Sequence, residues 1–321
     1  ELKMRKQILL LLICIVIPSC FLFAQDSTMI KKDTTWKSGG FLSLNINQVS
    51  LNNWAAGGES SFSLTGLFNY FANYKFDGAS WDNSLDLGYG VIKSDGDPMR
   101  KNEDKIELNS KYGHLAQGSF YYSGLMNVRT QFSAGYNYPN DSVEVSNFGA
   151  PAYITLALGM DYRPNPTFSL FLSPATGRIT IVTNQILADS GAYGVDKAEF
   201  DAAGNKIKDG KLMRVEFGAY LSAKYQNTIM ENIDLLTKIT LFDNYTDKVA
   251  SNRTNIDVNW DFLLTMKVNK YISASIFANA IYDHDIDIPT YETINGVKTE
   301  VSKGPKTQFK ESIGIGFGYR F

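Results

Sequence analysis

Cysteine is almost absent. The 321-residue chain has two, Cys14 and Cys20, and both fall in its first 24 residues. Past that point no disulfide framework, thiolate nucleophile or thiolate metal site is available. Histidine is nearly as scarce, with His114 and His284 alone. No HExxH, GxSxG or phosphate-loop pattern occurs, so the common hydrolase and nucleotide chemistries have no foothold. An excess of positive charge is lacking too. Beyond residue 24 there are 28 Lys and Arg against 32 Asp and Glu, which excludes a nucleic-acid binder that works by basic charge. Beyond residue 24 no apolar run reaches the ~20 residues of a membrane-spanning helix. Any insertion into lipid must then use strands, which can also satisfy their own backbone hydrogen bonds there.

The start of the chain is different. Lys3, Arg5 and Lys6 precede the apolar run Ile8–Phe23, and Leu22-Phe23-Ala24 offers a small-residue cleavage site before Gln25. This is the pattern of a cleavable secretory signal peptide. The expected organisation is a signal peptide over 1–24, a short periplasmic segment over 25–35 and one domain over 36–321. No linker or low-complexity tract divides that domain.

What the domain has in abundance is alternation. Phe62, Leu64, Phe68, Tyr70, Ala72, Tyr74 and Phe76 hold one parity, while Ser61, Ser63, Thr65, Asn69, Asn73 and Lys75 hold the other. Successive side chains of a strand point to opposite faces, so one face is greasy and the other wet. Asp77-Gly78-Ala79-Ser80 makes a tight turn, and Trp81, Leu85, Leu87, Tyr89 and Val91 run back. Further strands are expected at about 38–49, 104–115, 119–134, 151–163, 167–182, 211–226, 232–243, 254–268, 271–282 and 307–321. Pro174 lies inside one of them and cannot donate to a ladder, so a bulge or break is expected there. The connections alternate short and long, and the strands exceed the ~5–6 residues usual in globular sheets. Aromatics make up 13% of the chain, which suits two belts at membrane surfaces. The predicted fold is all-β: a transmembrane antiparallel up-and-down β-barrel of about 12 strands.

The last strand carries a signal of its own. Ile313, Ile315, Phe317, Tyr319 and Phe321 share one face, opposite Gly314, Gly316, Gly318 and Arg320. Its close on Phe317, Tyr319 and Phe321 resembles the assembly signal of outer-membrane β-barrels. That resemblance implies the barrel assembly machinery and outer-membrane lipid as partners. It also implies the outer membrane of a Gram-negative bacterium as location, with both termini periplasmic. The glycines are expected to make room for neighbouring lumen groups.

In such a barrel the polar parity lines the lumen. That gives Asp82, Asp86, Lys105, Glu107, Lys111, Arg129, Asp161, Arg163, Arg214, Glu216, Asp257, Asp261, Lys310 and Arg320, with Lys75, Asp234, Lys238 and Lys267 beside them. The signs interleave, whereas a strongly selective pore usually lines itself with one sign. Interleaved signs suit cross-strand ion pairs. Asp283, Asp285 and Asp287 stand at alternate positions and form a candidate Ca²⁺ site through hard oxygen ligands. The same acids also suit a solvated loop start. No other cofactor is indicated. The two histidines are expected at opposite rims, so no catalytic constellation forms. The segment 183–210 is the longest surface connection, able to fold into the lumen or to stand out from it.

Asn53-Trp54-Ala55-Ala56-Gly57-Gly58, Trp81-Asp82-Asn83, Leu172-Ser173-Pro174, Tyr282-Asp283 and the closing Gly-Phe-Gly-Tyr-Arg-Phe resemble, as a set, a Bacteroidota family known only as domain of unknown function 3078 (DUF3078). The resemblance implies an outer-membrane barrel and no catalytic or binding residue. Three functions fit the residues: a narrow porin-like passage for small polar solutes, a non-conducting subunit of a larger envelope assembly, and an outer-membrane lipid-modifying enzyme. The first is the leading expectation.

Overall fold

The computed structural model describes residues 35–50, 59–138, 141–269, 271–294 and 297–321. The expected signal peptide, nearly all of the segment after it and the Asn53–Gly58 motif lie outside them. Twelve strands close into one barrel. In chain order they are β1 (Trp36–Val49), β2 (Ser61–Phe76), β3 (Ala79–Ser94), β4 (Arg100–Gln117), β5 (Phe120–Thr130), β8 (Ala152–Asn165), β9 (Phe168–Ile181), β12 (Met213–Met230), β13 (Ile233–Asn244), β14 (Ile256–Lys267), β15 (Ile272–Tyr282) and β18 (Gln308–Arg320). Each pairs antiparallel with the next of these, and β18 returns to β1. The remaining strands are hairpins within loops: β6 (Gly135–Tyr136) with β7 (Glu144–Ser146), β10 (Glu199–Phe200) with β11 (Lys206–Lys208), and β16 (Asp287–Ile294) with β17 (Val297–Pro305).

The predicted strand ends fall within about four residues of those observed, and two of the differences have clear causes. β4 starts at Arg100 because the β3–β4 register shifts between Gly90 and Val91, which lets Lys101 and Arg100 keep pairing. β5 stops at Thr130 because the Asp104 carboxylate accepts from the amides of Phe132 (2.6 Å) and Ser133 (3.0 Å). Those amides are thereby drawn off the ladder.

One end of the barrel carries short turns. Asp77 and Gly78 both have positive φ, at 47° and 74°, as a two-residue hairpin turn matched to strand twist requires. Asn269 Oδ1 accepts from the amides of Tyr271 and Ile272, both at 2.8 Å, and turns β14 into β15. The other end carries the long connections. An even strand number returns the start of β1 and the end of β18 to the turn end.

The outward face is greasy. Leu42, Leu44, Ile46, Leu156, Leu158, Leu172, Val215, Phe217, Phe309, Ile313 and Ile315 are all exposed. At the turn end Trp36 packs on Tyr74 and Trp81, with ring centroids 5.2 and 5.9 Å away, and Phe120 on Tyr162 at 4.8 Å. Polar groups on this face satisfy one another. Trp81 Nε1 donates to Ser110 Oγ (2.9 Å), Ser110 Oγ to Asn83 Oδ1 (2.8 Å), and Asn83 Nδ2 to the Ala72 carbonyl (3.1 Å). Unpaired, each would cost several kcal/mol in hydrocarbon, on the order of a lost buried hydrogen bond.

The closing joint differs from the other eleven. β1 meets β18 over five register pairs, Phe41–Asn45 against Arg320–Gly316. Two backbone bonds between Gly40 and Phe321 extend it by one rung. A Cβ on Gly316 would lie 2.1 Å from Asn45 Oδ1, and one on Gly318 would lie 2.8 Å from the Phe41 ring. These glycines do make room for neighbouring inward side chains.

Candidate functional site

Residues directly opposite on antiparallel strands share a face, so the register defines the lumen. Asp82 stands opposite Lys111, Asp86 opposite Glu107, and Glu107 opposite Arg129. Tyr121 stands opposite Asp161, Arg178 opposite Glu216, Lys238 opposite Asp261, and Asn279 opposite Lys310. Lys105, Arg163, Arg214 and Asp257 follow by the same alternation. By register these residues face the same interior. Arg320 pairs with Phe41 through its backbone, and its side chain is not among those described. The inner face is not uniformly polar. Leu67, Phe71, Phe171, Phe242, Leu263 and Phe277 share it by register.

Charges gather at three levels. Toward the turn end, Asp161 is fully enclosed and accepts from Arg163 at 2.5 Å and Lys111 at 2.6 Å. Arg163 also reaches Asp82 at 2.8 Å and Ser80 Oγ at 3.1 Å. Midway, Glu107 pairs with Lys105 at 2.6 Å and accepts from Asn127 Nδ2 at 2.9 Å. Lys238 approaches the same carboxylate to 3.9 Å. β4 and β13 are separated by four strands one way round the ring and six the other, so this pair spans the lumen. Lys310 reaches Glu103 past β1, β2 and β3 in the same manner.

The third level lies toward the long loops. Arg178 makes a two-pronged contact with Glu216, Nε to Oε2 and Nη2 to Oε1, both at 2.9 Å. Its Nη2 also meets Asp257 at 2.7 Å, and its guanidinium sits 4.2 Å from the Phe242 ring centroid. Arg214 holds Glu216 at 2.8 Å and pairs with Asp285. Asn244 Nδ2 donates to Glu216 at 3.0 Å.

Arg178 is absent from the sequence-based set. The expected irregularity at Pro174 explains why. The register of β9 shifts there against both neighbours, with Gly218–Tyr220 spanning Thr176–Ser173 and Leu158–Met160 spanning Ala175–Leu172. The extra residue is on β9, so Ser173 and Thr176 both point inward and the parity beyond Pro174 inverts. Glu103 is missing too, just ahead of the strand expected from 104, and so is Lys224. It keeps the parity of Arg214 and Glu216, so its signal is present in plain alternation.

The other predicted residues fall as follows. Among the described residues no three His, Cys, Asp or Glu side chains gather as metal ligands. Asp285 is committed to Arg214, and Asp283 Oδ1 accepts from the Asp285 amide at 2.9 Å. Asp287 opens β16. Phe317, Tyr319 and Phe321 are exposed on the outer face, with Tyr319 and Phe321 stacked at 6.3 Å. His114 sits near the turn end of β4, and His284 follows β15 at the loop end.

The segment 183–210 folds over the loop end. Its helix α1 (Gln185–Asp189) is capped by Asn184 Oδ1, which accepts from Ile186 N at 2.9 Å. Leu187, Ala188 and Val195 bury against Ala150 and Val182. Tyr193 OH donates to the Val145 carbonyl at 2.6 Å, tying this cap to the neighbouring loop. Gly194 rests on the third charge level, where a Cβ would come within 2.3 Å of Arg214 Nη1. Hydrogen bonds from Lys206, Gln185 and the Gly210 amide hold the Asp189 carboxyl down at about 2. Lys211 and Lys248 do the same for Asp196.

Residues 46–136 match the family described as a protein of unknown function, DUF3078. They run from the end of β1 past β5 and include Asp82, Asp86, Glu107, Lys111 and Arg129. No curated protein matches the chain. Among solved structures it is similar to an outer-membrane channel of Pseudomonas putida F1, at TM-score 0.37 and 11% identity, covering 91% of this chain and 100% of that one. The NanC porin is similar at TM-score 0.36 and 9% identity, covering 88% and 98%. The outer-membrane channel DcaP of Acinetobacter baumannii is similar at 0.31 and 8%, covering 89% and 97%.

Proposed function

We propose that this barrel sits in the outer membrane of a Gram-negative bacterium with its turn end in the periplasm, and forms a narrow porin-like passage for small polar solutes. The observation that carries the reading is the Lys238–Glu107 pair. Its partners come from opposing walls, stand 3.9 Å apart and keep side-chain exposures of 25% and 12%. The walls therefore meet there, and both side chains keep some contact with solvent. Lys105 and Lys267, each 31% exposed, and Lys310 at 44% extend that wet surface. A lumen lined by both signs and crossed by ion pairs passes small hydrated solutes and excludes bulky or apolar ones. The outward Phe317, Tyr319 and Phe321 suit recognition by the barrel assembly machinery.

The test is conductance of the purified protein in planar lipid bilayers. Small, reproducible single-channel steps are expected. A barrel that inserts, keeps its folded electrophoretic mobility and stays silent overturns the reading.

A second reading, a non-conducting subunit of an envelope assembly, draws on the saturated Arg178–Glu216–Arg214 network under the cap. It calls for a partner that copurifies in mild detergent. A lone monomer on sizing rules it out.

A further inference from the structure

Two consecutive residues of the cap touch opposite sides of the ring. The Tyr193 hydroxyl donates to the Val145 carbonyl at 2.6 Å, within the loop that leaves β5 for β8. Gly194 lies against Asp285, which follows β15: a Cβ on this glycine would stand 3.5 Å from the Asp285 Cβ. From β5 to β15 the ring counts six joints one way and six the other. Twelve strands ~4.8 Å apart and tilted ~40° close a ring ~24 Å across between backbones. A chain that meets loops from both sides of such a ring divides its mouth.

The turn Gly191-Ala192-Tyr193-Gly194 is held in place at some cost. Tyr193 has φ 58° and ψ 26°, between glycines at φ 76° and 77°. A bulky residue seldom takes this left-handed conformation, and it stays there only where its surroundings enforce it. Those surroundings are plain. Just past the turn, Val195 is buried with Leu187 and Ala188 against Ala150 and Val182. Asp196 then accepts from Lys211 at 2.8 Å and from Lys248 of the β13–β14 loop. The turn itself lies on Arg214, which pairs with Asp285 beneath it.

We propose that the Tyr193–Gly194 turn is a fixed crossbar that sets the size limit of the passage at its outer mouth. This role rests on the passage reading. Solutes must go round the bar before they reach the Lys238–Glu107 level, so their bulk is judged first by backbone and a tyrosine ring. Charge is met afterwards, deeper in the lumen.

The segment can be taken out without touching the ring, because its ends already meet. The Val182 amide donates to the Leu212 carbonyl at 2.8 Å. The experiment replaces 184–210 with a short Gly-Ser turn and compares that barrel with the parent and with Tyr193→Gly. Planar bilayers give the conductance, and swelling of proteoliposomes in mono-, di- and trisaccharides gives the size limit. The excised barrel is expected to show steps at least twofold larger and to lose discrimination against the trisaccharide. Tyr193→Gly should fall between, since glycine accepts the positive φ but carries no ring to reach the β5–β8 loop. Parent-like conductance and discrimination in the excised barrel overturn the crossbar and leave the passage.

Gly194→Cys combined with Asp285→Cys tests the contact by itself. Residues 25–321 hold no other cysteine, and a Cβ separation of 3.5 Å suits a disulfide. Neighbouring Tyr193 shows that a side chain is accommodated on this backbone. Disulfide formation on mild oxidation, read by mass spectrometry, is expected, and its absence overturns the crossbar. A disulfide that forms in a barrel silent both with and without 184–210 removes the passage, and with it the size limit, and leaves the turn as a tie across the mouth.

Discussion

Two regions of the same lumen handle charge in opposite ways. Near the long loops, Arg178 and Arg214 are matched against Glu216, Asp257 and Asp285, and Glu216 is only 2% exposed. On the wall between β12 and β13, Lys224 stands opposite Lys238 with no ion pair among the described residues, and Lys238 reaches Glu107 only at 3.9 Å. The first arrangement is closely paired around an enclosed Glu216, and removing its cations strands a buried charge. The second is looser, and Lys224 is exposed. The difference teaches that partner choice, more than charge count, decides which lumen charges this barrel holds fast.

The sharpest break in that comparison is Arg178→Met. It leaves Glu216 and Asp257 without their main cation in an enclosed place. A loss of about 3–5 kcal/mol is expected, as for other buried pairs broken from one side, read by urea unfolding in detergent. Lys224→Met should stay within about 0.5 kcal/mol, as a partnerless solvated side chain would. Equal losses at the two positions would erase the distinction.

Glu107→Gln sharpens it at the waist. The substitution removes the carboxylate between Lys105 and Lys238 and leaves the shape almost unchanged. Anion preference, measured as reversal potential across a salt gradient, should increase. An unchanged reversal potential would mean that this level does not set selectivity.

The smallest effect concerns the cap. The Asp189 carboxyl is held at about 2 by Lys206 first, with Gln185 and the Gly210 amide, against an unfolded value of about 3.9. A depressed folded value stabilises above the unfolded one, and the contribution fades as pH falls toward the folded one. Protease cleavage within 183–210 should therefore stay constant from pH 7 to about 5, and rise only below about 4. Asp189→Asn should flatten that rise. Its carboxyl is solvated, so the change is one of local opening, and the barrel itself should not respond.

Much of this was legible in the sequence. Alternation from Phe62 to Phe76 and from Trp81 to Val91 fixes both strands and the Asp77-Gly78 turn, because a side-chain period of two admits one register for a greasy exterior. The same parity places Asp82, Glu107, Asp161 and Glu216 inside. Arg178 was hidden because one extra residue at Pro174 inverts every later side chain on β9. Phe71 and Phe171 break the polar-inward rule, and no local pattern announces either. Partner choice was hidden as well. Lys238 and Glu107 lie 131 positions apart, and only ring closure brings them together. The cap core of Ala150, Val182, Leu187, Ala188 and Val195 comes from two loops without periodicity.

The barrel's closing joint has a mechanical consequence. Every other joint is laced by ten or more register pairs, whereas β1 and β18 share five and one further rung. Above Asn45 each of these strands keeps its partner on one side only among the described residues. Under load a hoop tears along its shortest stitching. Tugged from either terminus, this one should unfurl into a curved sheet from that line, leaving the eleven stronger joints intact.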